Sequence, residues 1–388
     1  MPQQRMTANE RRAATSLATI MSLRMLGLFM ILPVFSLYAD QLQGATPILI
    51  GIAMGIYGLT QGIFQIPFGM LSDFYGRRKI ITLGLIIFVL GSIIAAQSDS
   101  IYGMIIGRAL QGVGAVGSTI IAMIADLTRE NQRAKAMAIA GVTIGLSFSL
   151  AMMLGPLLGN WINLFWLAAI FGAIGIVLLF TWVPTPEKTT WHKDTEPDPK
   201  QFTHLLKNPD LMRLNSGIFL LHAILTASFV ILPLSLENLA GLSGKQQWLL
   251  YLPILLIAFL LSIPCIIIAE KKHMVKTFFL GAIATLGMAE LFLWIFAHEL
   301  LLSALGLLLF FTAFSVLEAY LPSLVSKSAP PAQKGTALGI YSCSQFLGIF
   351  VGGSLGGWLY GAVGLTDVYL LCVALTILWL LIAFKMKQ

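Results

Sequence analysis

Apolar runs of the length that a helix needs to cross a hydrocarbon core about 30 Å thick recur along this chain from end to end. Nothing else in the sequence limits its fold so sharply. Twelve such runs occupy residues 14–38, 46–71, 80–97, 101–124, 134–159, 163–183, 211–238, 247–269, 275–297, 300–325, 335–361 and 365–384, with short polar breaks between them. Of the 388 residues, 57% are hydrophobic and 11% charged, too little polar material to coat a water-soluble globule. A β-barrel would show ten-residue segments of alternating polarity, and these are absent. Backbone groups in lipid must be satisfied within their own segment, so each run is expected to be a helix. The expected fold class is an all-α integral membrane protein with twelve transmembrane helices, and the lipid bilayer is its first partner.

The basic residues set the expected orientation. Lys245 falls in a loop on one side and Arg24 and Arg108 fall inside spans. Every other Lys and Arg lies at a terminus, in a loop leading out of an even-numbered span or within the first few residues of the span that follows, as in "GRRK", "RENQRAK" and "EKKHMVK". That asymmetry places both termini in the cytoplasm. It also accounts for the sequence pI near 9.3, so no nucleic-acid partner is expected. The lead-in "MPQQRMTANERRAAT" precedes an apolar run too long for a cleavable signal. Cys265, Cys343 and Cys372 lie in spans at no metal-ligand spacing and read as small core residues. With no nucleophile and base pair, metal cluster or phosphate-binding loop in the pattern, neither an enzyme nor a cofactor is expected.

The chain divides in the middle. Residues 183–210, "VPTPEKTTWHKDTEPDPKQFTHLLKNPD", form its longest polar stretch. The expected organisation is a bundle over 1–183, a cytoplasmic linker over 184–210 and a second bundle over 211–388, six spans in each. The halves resemble one another: "DLTRENQRAKAMAIAGVTIG" from Asp126 lines up with "SKSAPPAQKGTALGIYSCSQ" from Ser326, and both lead into glycine-rich spans. Duplicated bundles suit a transporter that rocks about a site between them.

Between the second and third runs stands "GMLSDFYGRRK", residues 69–79, unusually rich in charge for this chain. Gly69 permits close backbone approach and Gly76 a positive φ where the chain reverses. Asp73 at the membrane edge suits the positive end of a helix dipole. Arg78 and Lys79 read as a basic loop that fixes topology. The spacing of Gly69, Leu71, Asp73, Gly76, Arg77 and Arg78 resembles the loop signature of the major facilitator superfamily, with Phe74 standing where a basic residue is usual. "RALQG" at 108–112, followed by Gly114, resembles that family's fourth-helix motif, and includes Gln111. "GPLLG", with Gly155, Pro156 and Gly159, resembles the fifth-helix motif of its drug/proton antiporter branch, although Asn160 replaces a glycine there. "RMLGLFMILPVFSLYA", "GIYGLTQGIFQIPFG" and "SQFLGIFVGGSLGGWLYG" look most like efflux transporters of the YajR type. The soluble domain that follows the last helix in those proteins has no counterpart before Gln388.

The resemblance implies a conformational latch. Asp73 would dock near the start of the eleventh helix, at Lys334 to Thr336, and Arg77 would pair with Asp126. It also implies that the first, fourth, seventh and tenth helices line a central cavity. Ionisable groups in mid-membrane cost ~2.5 to 3.5 kcal/mol on insertion scales and need a partner or a watery cavity. Arg24, Arg108, His222 and Glu318 fall on those four helices, and Glu290 on the ninth. Arg108 would act electrostatically, since guanidinium does not release a proton. Glu318 is the leading proton carrier, because burial favours its acid form and an approaching cation its anion; His222 could share that task. Glu290 is expected to partner a neighbouring polar group. Gln61 and Gln65, and Tyr341 and Gln345, read as interhelical hydrogen-bonding pairs. "GPLLG" reads as a helix bend.

The expected function is export of a small organic molecule in exchange for protons, by a monomer in the cytoplasmic membrane of a bacterium. Proton-coupled uptake of a metabolite, sugar or siderophore remains open on the same pattern, as does a membrane sensor that does not transport.

Overall fold

A computed structural model describes residues 6–159, 163–184, 205–330 and 333–386, and the regular elements among them are helices. In chain order they are α1 (Ala8–Phe29), α2 (Phe35–Ala39), α3 (Pro47–Tyr75), α4 (Arg77–Ala96), α5 (Ile101–Val113), α6 (Gly117–Asp126), α7 (Glu130–Leu158), α8 (Leu164–Thr181), α9 (Pro209–Asn238), α10 (Gln247–Lys271), α11 (Val275–Ile295), α12 (Leu300–Ser328), α13 (Lys334–Ala362) and α14 (Asp367–Phe384). Counting α5 and α6 as one crossing, eleven of the described helices are long and apolar enough to traverse a membrane. α1, 22 residues long and bearing Glu10, Arg11, Arg12 and Arg24, holds most of the first expected span. Most of the expected linker, together with Asn160 and Trp161, lies outside the described residues.

Two runs expected as single helices are divided. Residues 14–38 hold α1, which ends at Phe29, then a turn, then α2. Pro33 lies in that turn, and it can neither donate a backbone hydrogen bond nor let its predecessor settle easily into helical geometry. Residues 101–124 are interrupted at Gly114, whose ψ of 45° leaves the helix. A Cβ built on Gly114 would collide with the Gly84 carbonyl of α4, so only glycine lets these two backbones meet.

The helix ends are marked locally. Thr7 and Glu10 form a reciprocal capping box at the start of α1. Ser100, Asn163 and Asn208 accept from backbone N–H groups at the starts of α5, α8 and α9, and Pro209 fills the first turn of α9.

The chain resolves into two compact units. The first holds residues 1–32 and 60–196, the second 33–59 and 197–388. In the first, α1 packs on α7 and α8, and α4 on α5 and α8. Two arginines close the end of α8. Arg78 Nη2 donates to the carbonyls of Leu179 at 3.0 Å and Val183 at 2.8 Å, while Arg12 Nε donates to that of Trp182 at 2.8 Å. Cations belong at a helix C-terminus, where carbonyls lack intrahelical donors. Arg78, read from the sequence as a topology-setting loop residue, also clamps this helix end. Glu10 is a second tie. Its carboxylate accepts from Arg129 N at 3.0 Å, Nε at 2.7 Å and Nη2 at 3.0 Å, joining the start of α1 to the start of α7.

In the second unit, α9 is the central rod: 94% of its apolar window is buried, against 22% for α10, which presents Leu256, Leu260 and Leu261 outward. Against α9 lies α13. A Cβ at Gly348 or Gly352 would run into the carbonyl of Phe219 or Ala223, so the backbones touch where other residues would hold them apart. The first half of α3 packs on another face of α13, at Gly353 and Gly357. Pro233 inside α9 deprives the Phe229 carbonyl of its usual donor. Ser36 Oγ, from α2, supplies one at 3.4 Å. Gln247 Nε2 donates to the Pro233 carbonyl itself at 2.8 Å.

Candidate functional site

The residues singled out by the sequence form three groups, two in the first unit and one in the second. At the junction of α3 and α4, Gly76 adopts φ +95°, a conformation that L side chains resist, and serves as N-cap of α4. The turn aims Arg77 back at the end of α3. Arg77 pairs with Asp73 one helical turn earlier, and its Nε lies 3.1 Å from Asp126 Oδ2 at the end of α6. Its Nη1 donates to Ser72 Oγ at 2.6 Å, and Ser72 donates in turn to the Gly69 carbonyl. Gly69 faces Ser118 of α6, whose hydroxyl donates to the Gln65 carbonyl at 2.9 Å. One guanidinium thus gathers two carboxylates and a hydroxyl from α3 and α6. Phe74, by contrast, is 70% exposed.

The second group holds the buried arginines. Arg24 of α1 is fully buried; its Nη2 donates to Gln61 Oε1 at 2.8 Å, and its guanidinium lies 5.5 Å from the centre of the Phe88 ring. Arg108 Nη1 donates to Gln111 Oε1 at 3.0 Å, and Gln111 Nε2 to Ser92 Oγ at 2.8 Å. Ser92 in turn donates to the Phe88 carbonyl. Arg24 thus meets α4 directly at Phe88, while Arg108 is linked to α4 through Gln111 and Ser92. Gln61 acts as the interhelical partner that its position suggested. Ser92, a small polar residue in an otherwise apolar run, carried no signal strong enough to single it out.

His222 of α9 and Glu318 of α12 form the third group, with His222 Nε2 4.0 Å from Glu318 Oε2. His222 is buried, whereas 39% of the Glu318 side chain is exposed. Each nitrogen of the imidazole has a neighbour within hydrogen-bonding distance. Nδ1 lies 3.3 Å from the Ile218 carbonyl, which only accepts, so Nδ1 carries hydrogen. Nε2 lies 2.8 Å from Gln345 Nε2, an amide nitrogen that only donates. With the amide in that orientation, Nε2 presents a lone pair to it. A proton arriving there would require the Gln345 amide to turn its oxygen inward. Phe314 stands edge-on, with ring centroids 5.8 Å apart, and Tyr341 lies one turn from Gln345 on α13. Gln345 and Tyr341, read from the sequence as structural, flank this pair; their spacing of four residues was the available signal.

Gly155, Pro156 and Gly159 occupy the last turn of α7, where Gly159 N donates to the Gly155 carbonyl at 2.8 Å. Glu290, fully buried on α11, accepts from Ser228 Oγ at 2.6 Å, which supplies the neighbouring polar partner expected for it.

The described helices, eleven of them long and apolar enough to cross a membrane, and the ionisable side chains inside their bundles suit a secondary transporter. Residues 17–353 match the Major Facilitator Superfamily model, and the chain belongs to that family. It is 46% identical over 387 residues to the inner membrane transport protein YajR of Escherichia coli, covering 99% of this chain and 85% of that protein. It is 28% identical over 194 residues to the class B tetracycline resistance protein of Escherichia coli, 47% of each chain. Among solved structures, a bacterial homologue of the human lysosomal transporter Spinster matches with TM-score 0.77 at 15% identity over 97% of both chains. The human organic anion transporter MFSD10 matches with TM-score 0.69 at 22% identity, over 97% of this chain and all of that one. The protein is a membrane transporter of this family.

Proposed function

We propose that the protein exports a small organic compound in exchange for protons, as a monomer in the cytoplasmic membrane of a bacterium, with both termini cytoplasmic. The halves that move are 1–183 and 211–388, joined by the linker 184–210.

The observation that carries this reading is the pairing of His222 with Glu318. Exchange needs a group that holds a proton in one state and yields it in another. Here an imidazole nitrogen lies 4.0 Å from a half-buried carboxyl, and an amide able to turn lies beside it. A cationic substrate beside Glu318 favours its anion and a proton favours its acid, so the two compete for one oxygen pair. Arg24 and Arg108, the latter held by Gln111, supply fixed positive charge in the other half. The groups around Asp73 form the latch, with Asp73 docking at Lys334 to Thr336 when the cytoplasmic side closes. Gly155, Pro156 and Gly159 let α7 bend as it does so. Similarity to a tetracycline resistance protein favours export over uptake.

The test is flux in proteoliposomes with an imposed pH gradient, using compounds chosen by a thermal-shift screen of siderophores, antibiotics, sugars and organic anions. Export predicts gradient-driven substrate movement opposite to protons, lost in Glu318→Gln, with substrate exchange across equal pH retained. Substrate and protons moving in the same direction would establish the uptake reading instead.

A further inference from the structure

Glu290 takes no part in the three groups above, yet among the described residues it is the most completely enclosed carboxyl of the second unit. It lies on α11 with no surface exposed, and its two oxygens stand in unequal surroundings. Oε1 accepts from the Ser228 hydroxyl of α9 at 2.6 Å, whereas Oε2 has no hydrogen-bond partner. Ser228 Oγ is also 3.5 Å from Cys372 Sγ of α14, and that thiol reaches the Ile224 carbonyl at 3.8 Å. The helices packed on α11 are α10, α12 and α14. From α14, Tyr369 and Cys372 are the titratable groups close enough to sense the carboxyl, and neither is a cation. From α10, Tyr251 is near Tyr369. No described Lys, Arg or His forms an ion pair with Glu290.

A carboxylate in this setting would keep one hydrogen bond and no countercharge. Burying an unpaired anion costs far more than burying a neutral hydroxyl that lacks an acceptor. The proton belongs on Oε2, leaving Oε1 as the carbonyl that Ser228 already addresses. We propose that Glu290 is a proton-binding site occupied throughout the neutral range, separate from His222 and Glu318, and that its neutral acid form fastens α11 to α9 through Ser228. Substrate identity and direction of transport do not enter this inference.

Infrared spectroscopy of the purified full-length protein in lipid discs tests it directly. In Glu318→Gln at pH ~8, where exposed carboxyls are ionised, a protonated-carboxyl stretch should persist, and adding Glu290→Gln should remove it. Absence of that band in Glu318→Gln overturns the proposal, and this arm does not depend on whether a Glu290 variant folds. Thermal unfolding gives a second reading. If the folded state keeps a proton that the unfolded chain releases above its ordinary range, wild-type stability falls as pH rises from ~5 to ~8, and that fall is absent without the acid. The melting temperature of Glu290→Gln should therefore gain on wild type across that interval. A gap that stays constant with pH would show that Glu290 is ionised in both states, and the site would not exist.

Discussion

Single residues in this chain show how much a charge depends on its surroundings. Glu10 is the clearest case that lies ahead of the apolar run. The hydrogen bond from the Arg129 side chain, assisted by backbone donors from Arg129 and Thr7, outweighs burial and holds its carboxyl down at about 2. A carboxyl depressed in the folded state stabilises above its ordinary range and loses that contribution as pH falls toward the folded value. Glu10→Gln should therefore lower the melting temperature by a few degrees at neutral pH, on the order expected for one lost charge-assisted contact. The gap from wild type should close as pH falls from ~4.5 toward about 2, as pH-dependent thermal unfolding would show. The positions of Arg24, Arg108, His222, Glu290 and Glu318 inside spans were legible in the sequence because each breaks an apolar run. Their partners were not. Gln345 and His222 are separated by 123 positions and Arg129 and Glu10 by 119, and no local pattern records such pairings.

Helices came through the sequence well because hydropathy over a span-length window measures what the bilayer demands. Their interruptions came through poorly, since Gly114 departs from helical geometry inside a run that stays apolar throughout. The contact between α9 and α13 is another property that hydropathy does not see. It rests on glycines one turn apart, Gly348, Gly352 and Gly356, whose missing side chains admit the α9 backbone. Gly352→Leu should abolish monodisperse expression, because the added atoms meet a carbonyl that has no room to withdraw. Gly339→Leu on the same helix should express normally, since a Cβ there meets nothing within 4 Å and leucine favours the helix over glycine by about 1 kcal/mol. Size-exclusion profiles of the two variants make the comparison.

At the scale of the whole molecule, family membership was legible from the loop motif and its neighbours, because backbone constraints such as the positive φ of Gly76 restrict which residues can stand there. Substrate preference was not legible, since it depends on side chains that converge from helices far apart in sequence. The latch reading belongs at this scale. Asp73→Asn should insert and fold as wild type does, yet slow or abolish transport, as flux at matched expression would reveal. Normal flux would leave Asp73 a local partner of Arg77 alone. A last consequence follows from the proline in the central rod of the second unit. Because Pro233 leaves a carbonyl unserved and a serine on the short helix α2 answers it, α9 carries an outrigger. Any swing of that rod must drag α2 with it or strip a buried oxygen of its donor, so the five-residue helix α2 is geared to the most deeply enclosed of the described helices.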